Sequence, residues 1–107
     1  ETMIPLMLNE VSEGRLELGR LMNAMSEAPA KRLGLERGKI SEGQTADLIM
    51  VDMKNSKPID LDKLHSRSNW TPFQNWSAIF PSQVYRRGEL IAENGEIKHE
   101  GGGQNLF

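Results

Sequence analysis

An unbroken apolar run, Leu48-Ile49-Met50-Val51, stands between Asp47 and Asp52. A run without a polar residue on either face is typical of a strand that is covered on both sides. Further helices or strands must then pack on both faces of this strand. The run therefore predicts a buried strand that packs against more than its own immediate neighbours.

Two further short apolar strands are predicted within residues 83–97, where they flank Arg87-Gly88. A second turn, Asn94-Gly95, precedes Ile97. Asn-Gly between alternating residues is the strongest local signal for a tight hairpin. This region is therefore predicted to fold as an antiparallel ribbon.

The beginning of the chain has helical spacing instead. The apolar cluster from Met3 to Val11 predicts a short helix, with Pro5 tolerated in its first turn. A second helix is predicted from a stripe of apolar residues at positions i, i+3, i+4 and i+7. The residues of this stripe are Leu18, Leu21, Met22 and Met25.

Ser26 is predicted to end the second helix and to cap a short third helix, which runs from Ala30 to Leu33 with Pro29 in its first turn. Gly34 supplies a left-handed stop. From Gly38 onwards the spacing becomes strand-like. The sequence therefore predicts an internal boundary at residues 35–39.

The middle of the chain is polar and rich in turns. Asp47 precedes the apolar run, and its side chain is expected to accept hydrogen bonds from loop N–H groups. The segment around Ile59 to Leu61 fits a short edge strand, whereas Asp60 to Leu64 fits a helical turn, and the sequence alone leaves both open. The rings of Trp70, Phe73 and Trp76 are expected to anchor a long loop against a core, although a ligand-stacking platform is an alternative.

This order of elements resembles the carboxyl-terminal part of dihydroorotases, within the cyclic amidohydrolase group that also includes allantoinases and hydantoinases. Residues 34–52, GLERGKISEGQTADLIMVD, are typical of amidohydrolases in general, and residues 68–73, SNWTPF, point towards dihydroorotases. The resemblance extends from about Glu1 to about Ile97. Two positions depart from the family pattern: Asn75 stands where a glycine is common, and Ala28-Pro29 where an asparagine-proline pair is common.

The resemblance implies an α+β structure made of the last helices of a metal-dependent (β/α)8 barrel and part of a small composite β-sandwich domain. A complete barrel needs roughly 250 residues, and the chain has 107, so we expect a piece of a larger fold. The expected division is a helical segment over residues 1–37 that packs on the barrel, a small β domain over residues 38–99, and a flexible, glycine-rich tail over residues 100–107.

The chain lacks the residues that a hydrolytic site needs. A catalytic zinc ion takes about three protein ligands, usually histidines with a carboxylate, but only His65 and His99 are present, and there is no cysteine. We expect both to be loop histidines and not ligands. The acids Asp47, Asp52, Asp60 and Asp62 do not have the spacing of a calcium loop and are expected to cap turns.

Serine and glycine give no site either. No serine lies in a Gly-x-Ser-x-Gly turn, and Gly34, Gly38 and Gly43 do not form a phosphate loop. We therefore predict no catalytic, cofactor-binding or metal-binding residue in this chain. In the family the metal ligands lie on barrel strands that precede this segment, and the resemblance implies zinc only in the longer protein.

A net charge of −2 with mixed signs gives no electrostatic case for nucleic acid or an anionic membrane as a partner. No run of 18 apolar residues and no signal-peptide pattern occurs, which is typical of a cytoplasmic protein. The expected partners are the rest of the barrel, a cyclic amide substrate of the longer protein, and a second copy or another pyrimidine enzyme.

Three functions remain open. The first is a zinc-dependent dihydroorotase that reversibly converts dihydroorotate to carbamoyl aspartate in pyrimidine biosynthesis, or an allantoinase or hydantoinase of the same group. The second is a non-catalytic amidohydrolase-like scaffold. The third is a free-standing small binding module.

Overall fold

A computed structural model describes residues 1–106, and these residues have the expected α+β architecture. The helical part comprises α1 (Met3–Ser12), α2 (Leu18–Met22), a π-helical turn (Asn23–Glu27), α3 (Ala28–Arg32) and a later 3-10 turn (Leu61–Lys63). The strands are β1 (Leu48–Met50), β2 (Lys57–Pro58), β3 (Ser77–Ala78), β4 (Gln83–Arg86), β5 (Glu89–Glu93) and β6 (Glu96–Ile97). None of the helices in this part of the chain has the length and apolar character needed to cross a membrane.

The first predicted helix is confirmed as α1, with Pro5 in its first turn. Pro5 has no N–H to donate, and the first turn of a helix has no acceptor for one in any case. Its carbonyl accepts the backbone N–H of Ile79 at 3.0 Å. The first turn of α1 is thereby tied to the strand region far along the chain.

The predicted break at Ser26 is wrong, because α2, the π-helical turn and α3 follow one another without interruption from residue 18 to residue 32. Pro29 cannot donate a hydrogen bond to the carbonyl of Met25, so the helix lacks one bond at this point and is widened by the π turn. Ser26 caps nothing. Its hydroxyl instead donates to the carbonyl of Gly38 at 2.9 Å and ties the helix to the following loop.

The predicted stop at Gly34 is confirmed. Gly34 has a φ of 69°, in the left-handed region. Its N–H donates to the carbonyl of Lys31 at 3.2 Å, and the N–H of Leu35 donates to that of Ala30 at 2.9 Å. These two bonds form a Schellman motif, which satisfies the last carbonyls of the helix.

The predicted hairpins are also confirmed. The larger sheet has the order β1-β4-β5-β6, and each neighbouring pair is antiparallel. The turn Arg87-Gly88 has φ values of 49° and 80°, and Asn94-Gly95 has 49° and 85°. Two successive residues with positive φ are characteristic of type I′ turns, whose twist matches that of the flanking strands.

Of the two alternatives left open around residue 60, the helical turn is confirmed, and the edge strand at Ile59 to Leu61 is wrong. Strand β2 lies just before this position and pairs with β3, and the 3-10 turn follows it. The carboxylate of Asp60 accepts the N–H of Asp62 at 3.2 Å and begins this turn. Between the strand and the turn, Ile59 is completely buried.

The main hydrophobic core joins the helices to the strand region. Leu8 of α1, Leu21 of α2 and Ile79 after β3 form its centre, and Val51 and Met53 pack against it. Residues of the helical part and of the strand part therefore pack in one hydrophobic core. The division into a helical segment and a β domain at residue 37 remains a prediction.

Large apolar side chains also lie outside this core. Ile49 and Met50 of β1 are 43% and 54% exposed, so the described residues do not supply the two-sided cover that the apolar run predicts. The expected anchoring of the aromatic loop is wrong for two of its rings, since Trp70 is 70% and Trp76 is 57% exposed. Phe73 is half-buried and meets Trp76 edge-on, with 5.4 Å between the ring centroids.

Candidate functional site

His65 pairs with Glu1. One carboxylate oxygen of Glu1 accepts the backbone N–H of His65 at 2.8 Å, and the other lies 2.9 Å from its Nδ1 atom. Partial burial alone would raise the pKa of Glu1, but the hydrogen bonds and charge of His65 outweigh it, so the Glu1 pKa lies below its ordinary value. The pair connects the start of α1 to the loop after the 3-10 turn.

His99 lies at a different place. Its Nδ1 atom is 3.7 Å from the carboxylate of Glu89, and its backbone N–H points to the carbonyl of Ile91. The two histidines thus have different acidic neighbours. Each has the geometry of a hydrogen-bonded or ion-paired surface residue.

Asp52 and Asp60 act locally, as expected. Asp52 accepts the N–H of Lys54 at 3.0 Å, in the same way that Asp60 accepts that of Asp62. Asp47 does more, because it accepts the backbone N–H of Arg87 at 2.9 Å and the guanidinium of Arg37 at 2.7 Å. All three carboxylates are engaged with nearby N–H groups and not with one another.

Potential nucleophiles are likewise occupied by backbone contacts. The hydroxyls of Ser12 and Ser82 donate to the carbonyls of Met53 and Met50. Neither hydroxyl is hydrogen-bonded to a histidine that could act as its base. Their observed contacts hold loops to helices and strands.

A metal centre would require several donors to converge. Among residues 1–106, no group of three or more histidine, cysteine, aspartate or glutamate side chains is arranged to hold a metal ion. The donor chemistry of these residues therefore does not fit the zinc site that the family resemblance implies for the longer protein.

One cluster was not predicted from the sequence. Arg37, Arg86 and Arg87 line a single cleft of about 310 Å³ together with Asp47 and Tyr85. Arg37 is far in sequence from Arg86 and Arg87, and the three meet because the hairpin turn lies against the loop that precedes β1. The only local signal is the pair Arg86-Arg87 before the turn glycine, and nothing in the sequence pairs it with Arg37.

Comparison with known proteins identifies the family. The model of the amidohydrolase family matches residues 1–91. The chain belongs to the amidohydrolase family. The motif at residues 34–52, from which membership was predicted, lies within the matched region.

The relatives of this amidohydrolase chain include dihydroorotases, which confirms the resemblance inferred from the motifs. A dihydroorotase of Methanosarcina acetivorans is 44% identical over 94 residues, which are 85% of this chain and 20% of that protein. A dihydroorotase of Thermoplasma volcanium is 43% identical over 96 residues, which are 90% of this chain and 23% of that protein.

A solved structure of an amidohydrolase shares the fold. L-Hydantoinase (dihydropyrimidinase) from Arthrobacter aurescens matches with a TM-score of 0.82 and 35% identity, over 88% of this chain and 22% of that chain. The chain thus spans about a fifth of the length of the amidohydrolases that it matches.

Proposed function

We propose that this chain is the carboxyl-terminal structural part of a dihydroorotase, which reversibly hydrolyses dihydroorotate to carbamoyl aspartate. The observation that carries the proposal is the 44% identity to a dihydroorotase across 85% of the chain. The SNWTPF segment at residues 68–73, which points to dihydroorotases within the family, supports it. The reaction would belong to pyrimidine biosynthesis in the cytoplasm.

The exposed apolar surface supports a bracing role. Met3 of α1 is 60% exposed, Met22 of α2 is 52% exposed, and Met50 of β1 is 54% exposed. Large apolar patches at the surface of a protein typically mark interfaces. We propose that the rest of a (β/α)8 barrel covers the helical faces and that further strands of a composite β domain cover β1.

Among the described residues, His65 and His99 pair with different glutamates, and the carboxylate of Asp52 accepts a backbone N–H. We propose that the zinc ligands and the catalytic residues of the longer protein lie outside this chain.

The fold match to L-hydantoinase favours one alternative within the same reaction class. A hydantoinase-type enzyme would open a different cyclic amide with the same kind of bond cleavage. The choice between the two depends on side chains that contact the substrate, and these belong to the proposed barrel.

The test is a comparison of substrates with the intact protein that contains this chain. We expect it to hydrolyse dihydroorotate with a kcat/KM at least about 100-fold above that for hydantoin, a ratio typical of a site built to bind a particular polar substrate. The opposite preference would favour the hydantoinase-type alternative. No turnover of either substrate would favour a non-catalytic scaffold.

A second measurement tests the structural role. The 107-residue chain alone is expected to show no turnover of dihydroorotate, with or without added zinc. Measurable hydrolysis by the chain alone would contradict the assignment of the catalytic residues to the barrel. Sedimentation of the intact protein would show whether it forms the homo-oligomer that we also propose.

A further inference from the structure

The cleft between Arg37, Arg86 and Arg87 has a surplus of positive charge. Three guanidinium groups line it, and Asp47 is the one carboxylate among its described lining residues. The carboxylate of Glu89, outside the lining, lies 3.5 Å from Arg86 and is half exposed, so solvent weakens this contact. The described lining residues therefore carry two positive charges that no carboxylate among them balances.

The hydrogen bonds of these arginines are incomplete. The Nε atoms of Arg37 and Arg86 are both buried and have no acceptor among the described residues. A buried N–H without an acceptor costs about 1–3 kcal/mol, and such groups in a native structure often point to a bound water or ion. Both belong to arginines that line the same cleft.

On the tail side of the cleft, two backbone carbonyls accept hydrogen bonds from further arginine donors. Arg86 donates through Nη1 to the carbonyl of Gly101, and Arg87 donates through Nη2 to that of Gly102 at 2.9 Å. Tyr85 and Gln104 add polar groups to the lining. Backbone carbonyls satisfy single N–H groups, but they leave the charge of a guanidinium unbalanced.

We propose that this cleft binds the phosphate group of a small phosphorylated molecule. A phosphate dianion would neutralise the two surplus charges, and its oxygens can accept several N–H groups from planar guanidiniums at once. The cleft is large enough for a phosphate with an attached organic group. This site is separate from the proposed hydrolytic function, because none of that activity is assigned to its residues.

The test is a titration of the intact protein that contains this chain with inorganic phosphate, followed by NMR of the arginine side-chain Nε–H signals. We expect the signals of Arg37 and Arg86 to shift in a saturable manner. Acetate and chloride at the same ionic strength are expected to give no saturable shift. Because these signals are read in the unaltered chain, the result does not depend on whether a variant folds.

Two variants of Arg86 separate charge from geometry. Arg86→Lys keeps the charge but removes the Nε–H, and it is expected to weaken phosphate binding by about tenfold, the effect of losing one hydrogen bond to a charged group. Arg86→Gln is expected to weaken it further. Arg20→Gln, at an exposed position of α2, is the matched control and should bind phosphate like the unaltered chain.

Three results would overturn the proposal. The first is a phosphate response no larger than that of chloride, and the second is an equal, saturable response to acetate. The third is a loss of binding in Arg20→Gln as large as that in Arg86→Gln. None of these depends on the activity of the intact protein, so the phosphate site and the hydrolytic function can fail separately.

Discussion

The carboxylate of Asp47 accepts the backbone N–H of Arg87, 40 positions later in the chain, at 2.9 Å. The same carboxylate holds the guanidinium of Arg37 at 2.7 Å. Beside it, the carbonyl of Ala46 accepts the N–H of Gly88 at 2.9 Å. The residues just before β1 therefore connect the loop after the helices to the turn between β4 and β5.

Replacing Asp47 tests this connection. Asp47→Ala removes both side-chain contacts and leaves Arg37 without its carboxylate, so we expect the free energy of unfolding to fall by about 2 kcal/mol. Asp47→Asn keeps an oxygen that can accept the Arg87 N–H but loses the charge, and about half that loss is expected. Urea unfolding measures both values.

Asp52→Ala is the control for this series. Asp52 also flanks β1, but its side chain accepts only the nearby N–H of Lys54 in a turn. A loss of under about 1 kcal/mol is expected for a single local hydrogen bond. If Asp52→Ala were as damaging as Asp47→Ala, the long-range contacts of Asp47 would not be the source of its effect.

Gly38 permits the close approach of the loop to the π-helical turn. Its φ is 92°, and a Cβ atom added there would lie 2.7 Å from the carbonyl oxygen of Ser26 and 2.8 Å from the Cβ of Ala30. Gly38→Ala must therefore strain the backbone and displace the helix. We expect it to reduce the free energy of unfolding by about 3 kcal/mol, the upper end of the cost of local backbone strain.

Gly43→Ala is the matched substitution for this prediction. Gly43 has a similar φ of 81°, but no atom lies within 4 Å of an added Cβ. Only the conformational strain remains, so a loss of about 1 kcal/mol is expected from thermal or urea unfolding. Equal losses in both variants would show that the contact with Ser26 and Ala30 is unimportant.

Short-range features of this fold were predictable from the sequence. Asn94-Gly95 and Gly34 specify their turns through the φ values that their own residues tolerate, and such preferences act over a few residues. The stop at Gly34 and the hairpin turn at residues 94–95 were accordingly predicted at the right positions.

Features that depend on distant partners were not predictable in the same way. Asp47 was expected to accept loop N–H groups, but its two partners, Arg37 and Arg87, become neighbours only when the sheet forms. The arginine cleft was missed for the same reason. Trp70 was expected to be buried because a large aromatic ring usually is. The sequence around a ring does not indicate which other part of the protein covers it.

The π-helical turn shows a third kind of failure. Ser26 and Pro29 together are a strong signal for the start of a new helix. The preceding turn instead widens to accommodate Pro29, and the apolar face continues with Ala30, which is buried. Packing of this face outweighed the local capping preference.

The family resemblance implies a glycine at the position of Asn75, and the structure gives a reason for both residues. Its φ is 65°, in the left-handed region, where asparagine is the best tolerated residue apart from glycine. Its N–H donates to the carbonyl of Ile59 at 2.9 Å, which fixes this conformation.

The substitution Asn75→Ala is expected to reduce the free energy of unfolding by about 1 kcal/mol, because alanine adopts a positive φ only with strain. Asn75→Gly removes that strain and should leave stability within about 0.5 kcal/mol of the unaltered chain. Chemical denaturation of the two variants measures the difference. If Asn75→Gly were the more damaging change, the side chain of Asn75 and not its φ would be the important feature.

The pairing of Glu1 with His65 predicts a dependence of stability on pH. Burial raises the pKa of Glu1 and His65 lowers it, and the net result in the folded chain is a value below the ordinary 4.5. A depressed carboxyl pKa contributes stability that is fully present above about pH 4.5 and is lost as the pH falls towards the folded value.

Glu1→Gln should remove this contribution. We therefore expect the free energies of unfolding of Glu1→Gln and the unaltered chain to differ near pH 6 and to converge as the pH falls well below 4.5, as measured by urea unfolding at a series of pH values. Glu100→Gln, which alters an exposed carboxyl in the tail, is the control and should follow the unaltered chain. A difference for Glu1→Gln that stayed constant over the whole range would show that this carboxylate contributes through packing and not through its charge.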